Sequence, residues 1–464
     1  MARPLIMFGG AFMERITPRT LSGFMELLPQ DQIRFDRMVE VIRESFSVYG
    51  FTPLDTPIIE AAEVLLAKGG GETEKQIYRM TKGDTDLALR FDLTVPLAKY
   101  VAINYGRLTF PFRRYQIGKV YRGERAQRGR FREFYQCDID VIGDGELAVI
   151  NEAEIPGVIY HTFQALGLKD FVIRVNNRKV LNGLFQAMGI QDKAAGVMQT
   201  VDKLEKIGRE KVAEILLEEY GVSAESANKL LDLLTSSQRG ASPVGVLSSY
   251  MGQNELLDTG IEELLTVAKY MEAFGVPDTH FTVDLTIARG LDYYTGTVYE
   301  TISPSHPEIG SICSGGRYDN LAEYYTDKKL PGVGISIGLT RLFYVLAEQN
   351  YLNDKLLAAP ADALVLPMTE DWAPAIAFAT ALRTLGLRTQ IYGEEKKFKA
   401  KMGYADKLSI PYVVFIGEDE IAQNKVTVKD MITGEQETVP ARAAAERIAA
   451  GVKDGRRARP IREQ

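Results

Sequence analysis

Within eight residues the chain places one permanent cation beside two phenols. Arg289 precedes Tyr293 and Tyr294 in a stretch, residues 289–296, whose apolar surroundings predict a strand. A guanidinium stays charged and suits an anion, and a phenol both donates and accepts hydrogen bonds. The stretch is therefore consistent with a site for an anion and a small polar aromatic ligand. Taken alone, it is better explained by a tyrosine-rich strand and turn with a surface arginine, because an isolated octapeptide is weak evidence of function.

A strongly basic segment supplies a second candidate. Residues 113–132 contain eight basic residues and one acid, Glu124. Two runs, about residues 112–122 and 131–142, are rich in β-forming residues and flank a polar, glycine-containing loop, which predicts a long antiparallel hairpin. A solvated charged loop explains the charge count equally well. The hairpin matters for function only if its side chains meet those of other segments.

The second run of that hairpin alternates polar and apolar residues. Because side chains on a strand alternate faces, Gln136, Asp138 and Asp140 share one face. The opposite face carries Tyr135, Cys137, Ile139 and Val141. The pattern favours a polar cavity over that face, and an ordinary solvent-facing sheet edge is the alternative.

These segments together resemble one enzyme family. Residues 114–140 resemble motif 2 of class II aminoacyl-tRNA synthetases, specifically of histidyl-tRNA synthetases, and residues 289–296 match a signature of the same family. Residues 332–342 are similar to its motif 3. The resemblance implies activation of L-histidine with ATP to histidyl-adenylate, followed by transfer of histidine to the 3′ end of tRNA(His). It also implies Mg²⁺ with ATP but no metal site built from a protein cluster.

The resemblance assigns roles by matching position. Arg122 and Arg289 are the expected catalytic residues, at the α-phosphate and the histidine carboxylate. The ATP-binding set is Arg122, Glu124, Arg289 and Arg341, with Arg341 at the γ-phosphate and Glu124 at adenine. The histidine-binding set is Asp92, Thr94, Gln136, Asp140, Tyr293, Tyr294 and Tyr318. The tRNA acceptor contacts are Arg125, Gln127 and Arg128. Structural ion pairs and hydrogen bonds within a sheet are the alternative explanation for these residues.

Bulk composition fits an enzyme of this kind. The 464 residues are 45% hydrophobic and 25% charged, which is ordinary for two or three folded domains, and the net charge of −7 requires any polyanion partner to meet a local basic surface. Two cysteines and three histidines form no metal motif and indicate a reducing compartment, so a cytoplasmic location is expected. No apolar run approaches the roughly 20 residues that cross a bilayer, so no membrane partner is expected.

The predicted fold is α+β: an antiparallel-sheet catalytic domain of the class II synthetase type with a helical insertion, plus a C-terminal α/β anticodon-binding domain. Local patterns predict a helix over residues 32–50, an edge strand over 51–59 and strands over 281–287, 296–302, 310–313 and 332–338, then a helix over 339–349. The expected catalytic domain spans residues 19–356, with the helical insertion at about 190–274. It follows an N-terminal extension at 1–18, which is either loose or the result of a misplaced start codon. A linker at 357–362 leads to an anticodon-binding domain at 363–464 with a mostly parallel sheet. By resemblance, residues 51–59 are motif 1, which implies a homodimer.

Three other readings stay open at this point. One is the catalytically silent regulatory paralogue that binds histidine as an effector, which generally lacks the C-terminal domain and the ATP-binding arginines. A second is a non-catalytic RNA-binding or signalling module built on the same scaffold. A third is another class II synthetase of the same subgroup, which the paired tyrosines after Arg289 disfavour.

Overall fold

The computed structural model describes residues 5–8, 11–14, 16–67, 74–127, 129–201, 203–235, 243–287, 293–348 and 358–457. The helices are α1 (Pro29–Val48), α2 (Ala62–Leu65), α3 (Thr94–Asn104), α4 (Ile150–Ala165), α5 (Arg178–Ala187), α6 (Ala194–Val201), α7 (Leu204–Ile207), α8 (Arg209–Glu218), α9 (Ala224–Leu234), α10 (Pro243–Ser248), α11 (Glu255–Ala273), α12 (Leu339–Glu348), α13 (Ala373–Thr384), α14 (Phe398–Lys407), α15 (Glu418–Ala422) and α16 (Ala441–Arg457). The strands are β1 (Leu5–Phe8), β2 (Ala11–Glu14), β3 (Thr52–Pro53), β4 (Ile59–Ala61), β5 (Arg79–Lys82), β6 (Thr85–Leu89), β7 (Phe112–Tyr121), β8 (Glu133–Ile142), β9 (Val172–Asn177), β10 (Phe281–Val283), β11 (Thr297–Ile302), β12 (Cys313–Tyr318), β13 (Gly332–Gly338), β14 (Ala363–Pro367), β15 (Thr389–Ile391), β16 (Tyr412–Ile416), β17 (Lys425–Asp430) and β18 (Gln436–Pro440).

An eight-stranded sheet organises the larger part of the chain. Its strand order is β10-β9-β11-β12-β13-β8-β7-β3, and every neighbouring pair is antiparallel except the two at its edges, β10 with β9 and β7 with β3. The predicted hairpin is confirmed as β7 and β8, and the predicted α+β class is confirmed. A separate three-stranded sheet, β4-β6-β5, is formed by residues that lie between β3 and β7 in the chain.

One face of this sheet is covered by helices. Phe35, Met38, Ile42 and Phe46 recur at helical spacing along α1 and are all buried, which confirms the predicted first helix. The ring of Phe35 packs on Tyr135 of β8 and on Phe343 of α12, with centroids 5.2 and 5.3 Å apart. Tyr135 therefore lies on the helix-covered face, and the polar residues that alternate with it face the other way.

Several strand predictions need correction. The strand predicted over residues 281–287 ends at Val283. Residues 293–296, the described part of the stretch 289–296, form turn and irregular backbone that leads into β11, not a strand. The segment predicted as an edge strand over residues 51–59 pairs with β7 only at Thr52 and Pro53, because Pro53 and Pro57 have no N–H to extend a ladder. The strand predicted at 310–313 is wrong: residues 307–309 form a 3-10 turn and the strand, β12, begins at Cys313. The helical prediction for residues 190–274 is confirmed by α6 to α11.

Both ends of the chain carry small sheets. At the N terminus, where a loose extension is predicted, β1 and β2 pair as a short antiparallel hairpin. At the C terminus the sheet order is β15-β14-β16-β17-β18, and only the first three strands are parallel. The expectation of a mostly parallel sheet is wrong for β17 and β18, which form an added antiparallel hairpin. No helix in the described ranges is both long and apolar enough to span a bilayer.

Two leucines on α13 test the packing of the C-terminal core. Leu382 is 0% exposed in a cluster with Val365 and Val414, whereas Leu385, just past the helix end, is 57% exposed. We expect Leu382→Ala to destabilise this region by about 2 to 5 kcal/mol because it leaves a cavity. The matched change Leu385→Ala should cost less than about 1 kcal/mol. Urea unfolding followed by circular dichroism measures both, and equal losses would contradict the assigned core.

Candidate active site

A cavity of about 210 Å³ lies over the open face of the β12-β13-β8-β7 part of the sheet. The strand register sets its floor as cross-strand rows. One row aligns Arg114, Asp140 and Gly334, and the next aligns Gln116, Asp138 and Ser336. The register therefore places the polar residues of β8 in the middle of the floor, as the alternation of the sequence predicts.

Glycines keep this floor open. A Cβ at Gly334 would overlap the Asp140 carboxylate, and a Cβ at Gly316 would lie 3.0 Å from the Tyr294 ring. Because these positions lie in strands flanking the acidic residues, any side chain there would displace the groups that line the cavity. Glycine in the interior of a strand weakens it and often marks the close approach of a ligand or another backbone.

The Asp140 carboxylate is bound on both oxygens. Arg114, which is 0% exposed, places Nη2 2.6 Å from Asp140 Oδ2, and the Tyr318 hydroxyl donates to Oδ1 at 2.6 Å. Arg114 Nη2 also donates to the Leu93 carbonyl at 3.2 Å. Burial raises the pKa of Asp140 to about 7, although Arg114 acts in the opposite direction. Sequence reasoning missed Arg114, which only the register brings opposite Asp140.

Two further carboxylates line the cavity and keep an oxygen without a protein partner. Asp92 Oδ1 accepts from the Val95 N–H at 3.1 Å at the start of α3, and within the described residues Oδ2 has no hydrogen-bond partner. Oδ1 of Asp138 is likewise unpartnered there. Burial raises the pKa of Asp92 to about 7 and that of Asp138 to about 6. The floor therefore carries more carboxyl groups than cationic side chains in contact with them.

Three tyrosines form one wall. The ring of Tyr293 packs edge-on against Tyr294 and Tyr318, with centroids 5.0 and 5.8 Å away. Burial raises the pKa of all three phenols, so they stay protonated at neutral pH and keep a hydrogen to donate. The wall thus offers phenol groups beside the Asp140 carboxylate.

A partly buried network behind the wall fixes its position. Thr295 Oγ1 donates to Asp319 Oδ2 at 2.5 Å, and the Thr295 N–H donates to the Arg317 carbonyl at 2.8 Å. Arg317 in turn contacts Asp319 at 2.8 Å and the fully buried Glu152 of α4 at 2.6 Å. Tyr294 precedes Thr295 and Tyr318 lies between Arg317 and Asp319, so the network ties both phenols to one anchored unit.

Guanidinium groups form the rim. Arg122 Nε donates to the Phe91 carbonyl at 3.0 Å, and its Cζ lies 5.3 Å from the centre of the Phe134 ring. Arg341, in the first turn of α12, donates to the carbonyls of Gly129 and Ser311, both at 2.9 Å. Burial lowers the pKa of Arg341, and the nearby Arg130 and Arg122 lower it further. Like charges held this close favour a bound anion.

The structure brings most of the predicted site residues to this cavity. Those that line it are Asp92, Thr94, Arg122, Glu124, Gln136, Asp140, Tyr293, Tyr294, Tyr318 and Arg341. Arg289 and Arg128 lie outside the described residues. Arg125 and Gln127 are described but do not line the cavity, and Gln127 instead pairs with Arg130 across the hairpin loop. The lining residues that the predicted binding set omits include Asp138, Arg130 and Phe134. Strand alternation places Asp138 and Phe134 on the same face as Gln136 and Asp140, so it indicates both.

A largely antiparallel sheet carrying this acidic floor and guanidinium rim, followed by a separate C-terminal sheet, defines a class II aminoacyl-tRNA synthetase. A family model described as histidyl-tRNA synthetase matches residues 23–342, and an anticodon binding domain model matches residues 362–450. The chain therefore belongs to the histidyl-tRNA synthetase family.

Individual relatives agree with the family models. The histidine--tRNA ligase of Clostridium tetani is 54% identical over 91% of this chain and 96% of that protein, and that of Stenotrophomonas maltophilia is 48% identical over 91% and 95%. The crystal structure of histidyl-tRNA synthetase from Nostoc sp. PCC 7120 superposes with a TM-score of 0.84 at 39% identity, covering 94% of this chain and 100% of that one.

The buried carboxylates predict a pH-dependent stability. Because burial raises the folded-state pKa of Asp92 to about 7 from an ordinary value of about 4, the carboxyl favours folding at low pH and loses that contribution as pH rises through 7. Asp92→Asn has no charge to bury. We expect the unfolding free energy of ligand-free Asp92→Asn, relative to wild type, to increase by about 1 to 3 kcal/mol between pH 5 and pH 8.

Urea unfolding at each pH measures this difference. Asp84→Asn, at an exposed turn between β5 and β6, is the control and should show a difference that is constant with pH. A constant difference for Asp92→Asn as well would mean that the Asp92 carboxyl is not desolvated in the folded protein.

Proposed function

We propose that the cavity joins histidine to ATP as histidyl-adenylate and then passes the histidyl group to the 3′ end of tRNA(His). As a member of its family, the chain is a ligase that charges tRNA with histidine and uses ATP as a substrate. The observation that supports this division of labour is the separation of charge in one cavity, with carboxylates on the floor and guanidinium groups on the rim. A cationic ammonium suits the floor and phosphates suit the rim.

On the floor, the histidine ammonium would lie at Asp92, Thr94 and Gln136. The imidazole would lie against Asp140 and the tyrosine wall of Tyr293, Tyr294 and Tyr318. An imidazole nitrogen can donate to a carboxylate while the other accepts from a phenol, so the two kinds of partner identify the ring. A pocket of this kind rejects apolar side chains of the same size, because its own buried polar groups would be left unpaired.

Arg122, on the rim, and Arg289 would approach the α-phosphate and the histidine carboxylate. Arg341 would hold the γ-phosphate and Glu124 the adenine amino group. In the first step a carboxylate oxygen of histidine attacks the α-phosphorus and pyrophosphate leaves, so the enzyme needs no nucleophile of its own. Fixed cations that are aligned before the reaction lower its barrier by stabilising the charge on the phosphoryl group.

Mg²⁺ would enter with ATP and neutralise charge on the β- and γ-phosphates. Across the described residues, no group of three or more His, Cys, Asp or Glu side chains is placed to hold a metal, so the phosphates themselves would supply most of the ligands.

The remaining assignments concern partners and organisation. The hairpin-loop residues Arg125, Gln127 and Arg128 would meet the tRNA acceptor end, and residues 363–464 would bind the anticodon after a linker at 357–362. The catalytic domain would span 19–356, with its helical insertion at about 190–274. We further propose a cytoplasmic homodimer that pairs through motif 1, residues 51–59. Ile58 and Ile59 support this surface, because these large apolar side chains are 41% and 47% exposed.

The three arginines proposed to contact the phosphates provide the test. We expect Arg122→Ala, Arg289→Ala and Arg341→Ala each to reduce histidine-dependent ATP–pyrophosphate exchange by about 100- to 1000-fold, because each removes a cation from the phosphoryl centre. Arg442→Ala is a matched control, since this side chain is 91% exposed on α16 and should leave exchange unchanged.

The alternatives give different results. Full exchange in Arg289→Ala would remove that residue from its proposed role. Wild-type protein that binds histidine but supports no exchange would favour the regulatory paralogue instead.

A further inference from the structure

We propose that Asp138 is a second carboxylate of the ammonium subsite, which acts with Asp92 to select ligands that carry an α-ammonium group. This inference deepens the proposed function and rests on it. Asp138 lies between Gln136 and Asp140 on the floor of the cavity and is 2% exposed. Its Oδ1 has no hydrogen-bond partner within the described residues. A buried carboxylate oxygen that lines a cavity and lacks a protein partner calls for a ligand that donates hydrogen bonds.

The neighbours of Asp138 are committed elsewhere. Across the strand on β7, Gln116 Nε2 donates to Asp55 Oδ1 at 2.8 Å and to Thr56 Oγ1 at 3.1 Å. Arg114 contacts Asp140 at 2.6 Å, and Arg122 donates through Nε to the Phe91 carbonyl. These cations act on Asp138 through space without an ion pair to it among the described residues. Ser336, the cross-strand neighbour on β13, interacts with the Asp138 carboxylate through its hydroxyl, which lowers the pKa of Asp138. The carboxylate therefore has one hydroxyl neighbour and attractive charges nearby, but among the described residues no ion pair neutralises it and Oδ1 stays without a partner.

A comparison with Asp140 and Asp92 explains why Asp138 is also expected to bind the ammonium. Asp140 has a contact at 2.6 Å on each oxygen, from Arg114 and from Tyr318. Asp92 keeps one oxygen free of partners in the described structure, and Asp138 does the same. Each carboxylate makes ionisation of the other less favourable, since the Asp138 charge raises the pKa of Asp92. An ammonium has three donors and a full positive charge, so one such group can satisfy both oxygens.

The physical consequence is discrimination by charge. A neutral group in the same place would leave two desolvated carboxylates of like charge lining one cavity, whereas a cation relieves their repulsion and makes charge-assisted hydrogen bonds. Asp138 is thus a specificity-determining residue for the ammonium, while Asp140 and the tyrosine wall address the ring. Replacing Asp138 should therefore weaken the binding of ligands that carry the ammonium and leave the binding of ligands without it nearly unchanged.

The test uses two probes that differ only in that group. L-Histidinol carries the ammonium and the imidazole, and 3-(imidazol-4-yl)propan-1-ol lacks the ammonium. Calorimetric titration of the full-length protein at pH 8 gives the dissociation constant of each. We expect Asp138→Asn to weaken histidinol about 10- to 100-fold and to change the deamino probe by less than about threefold. The KM for ATP in pyrophosphate exchange should stay within about threefold of wild type.

Controls separate a binding role from a structural one. Asp138→Ser provides a second substitution if the amide does not fold, and circular dichroism checks each preparation. Unchanged histidinol binding in a folded variant would overturn the proposal. An equal loss of both probes, or a raised KM for ATP, would show that Asp138 only supports the sheet and would overturn it too.

A parallel Asp92→Asn variant separates this inference from the proposed site. If Asp92→Asn loses histidinol selectively and Asp138→Asn does not, the inference fails and the assigned ammonium subsite stands. If wild-type protein fails to bind histidinol, the histidine pocket itself is misplaced. Asp84→Asn, exposed and outside the cavity, should bind both probes as wild type does.

Discussion

The buried negative charge on the cavity floor is the constraint on which the site depends. Asp92, Asp138 and Asp140 are each 2% exposed, and among the described residues Asp140 is the one of the three that forms an ion pair with Arg114. Carboxylates removed from water and left without partners cost free energy, so the fold must supply enough stability from elsewhere to hold them. The helix-covered face of the same strands supplies it, because the residues that alternate with these acids pack into the main apolar core. Along β8, each of these residues thus serves either the core or the site according to its parity.

Charge of the opposite sign is held at a second level of the same cavity. Arg122 and Arg341 are oriented by backbone carbonyls of Phe91, Gly129 and Ser311, and neither forms an ion pair with a carboxylate of the described part of the chain. Carbonyls fix the direction of a guanidinium without neutralising it, so its charge remains available to an anion. The Arg341 contact with Gly129 also joins the motif 3 helix to the loop of the hairpin. Two motifs far apart in sequence are therefore locked together at the rim.

Much of this arrangement follows from local sequence patterns. Period-two alternation along residues 131–142 is sufficient to place Gln136, Asp138 and Asp140 on one face, and helical spacing is sufficient to predict α1. The rows of the floor could not be predicted in this way. The pairing of Arg114 with Asp140 depends on the register of two strands, and the register depends on the loop between them and on packing of the whole sheet. The assignment of roles rested on resemblance, since spacing alone does not distinguish a phosphate-binding arginine from a surface one.

The errors have similar causes. The strand predicted at residues 310–313 started too early. Gly310 and Ser311 carry little β preference after the proline-containing turn, so β12 begins only at Cys313, where pairing with β13 starts. The hairpin of β17 and β18 escaped the prediction of a mostly parallel sheet because its outer strand alternates exposed and half-buried residues, which resembles a surface loop. In both cases tertiary pairing overrode a weak local preference.

The central claim is that one ligand binds across the cavity, with its cationic ammonium at the carboxylates of the floor and its phosphoryl group at the guanidinium groups of the rim. A crystal structure of the protein with a non-hydrolysable sulfamoyl analogue of histidyl-adenylate tests it most directly. The predicted density places the ammonium between Asp92 and Asp138, the imidazole against Asp140 and Tyr294, and the sulfamoyl group beside Arg122. An analogue bound with its ammonium away from both carboxylates, or with its sulfamoyl group outside the guanidinium rim, would contradict the claim.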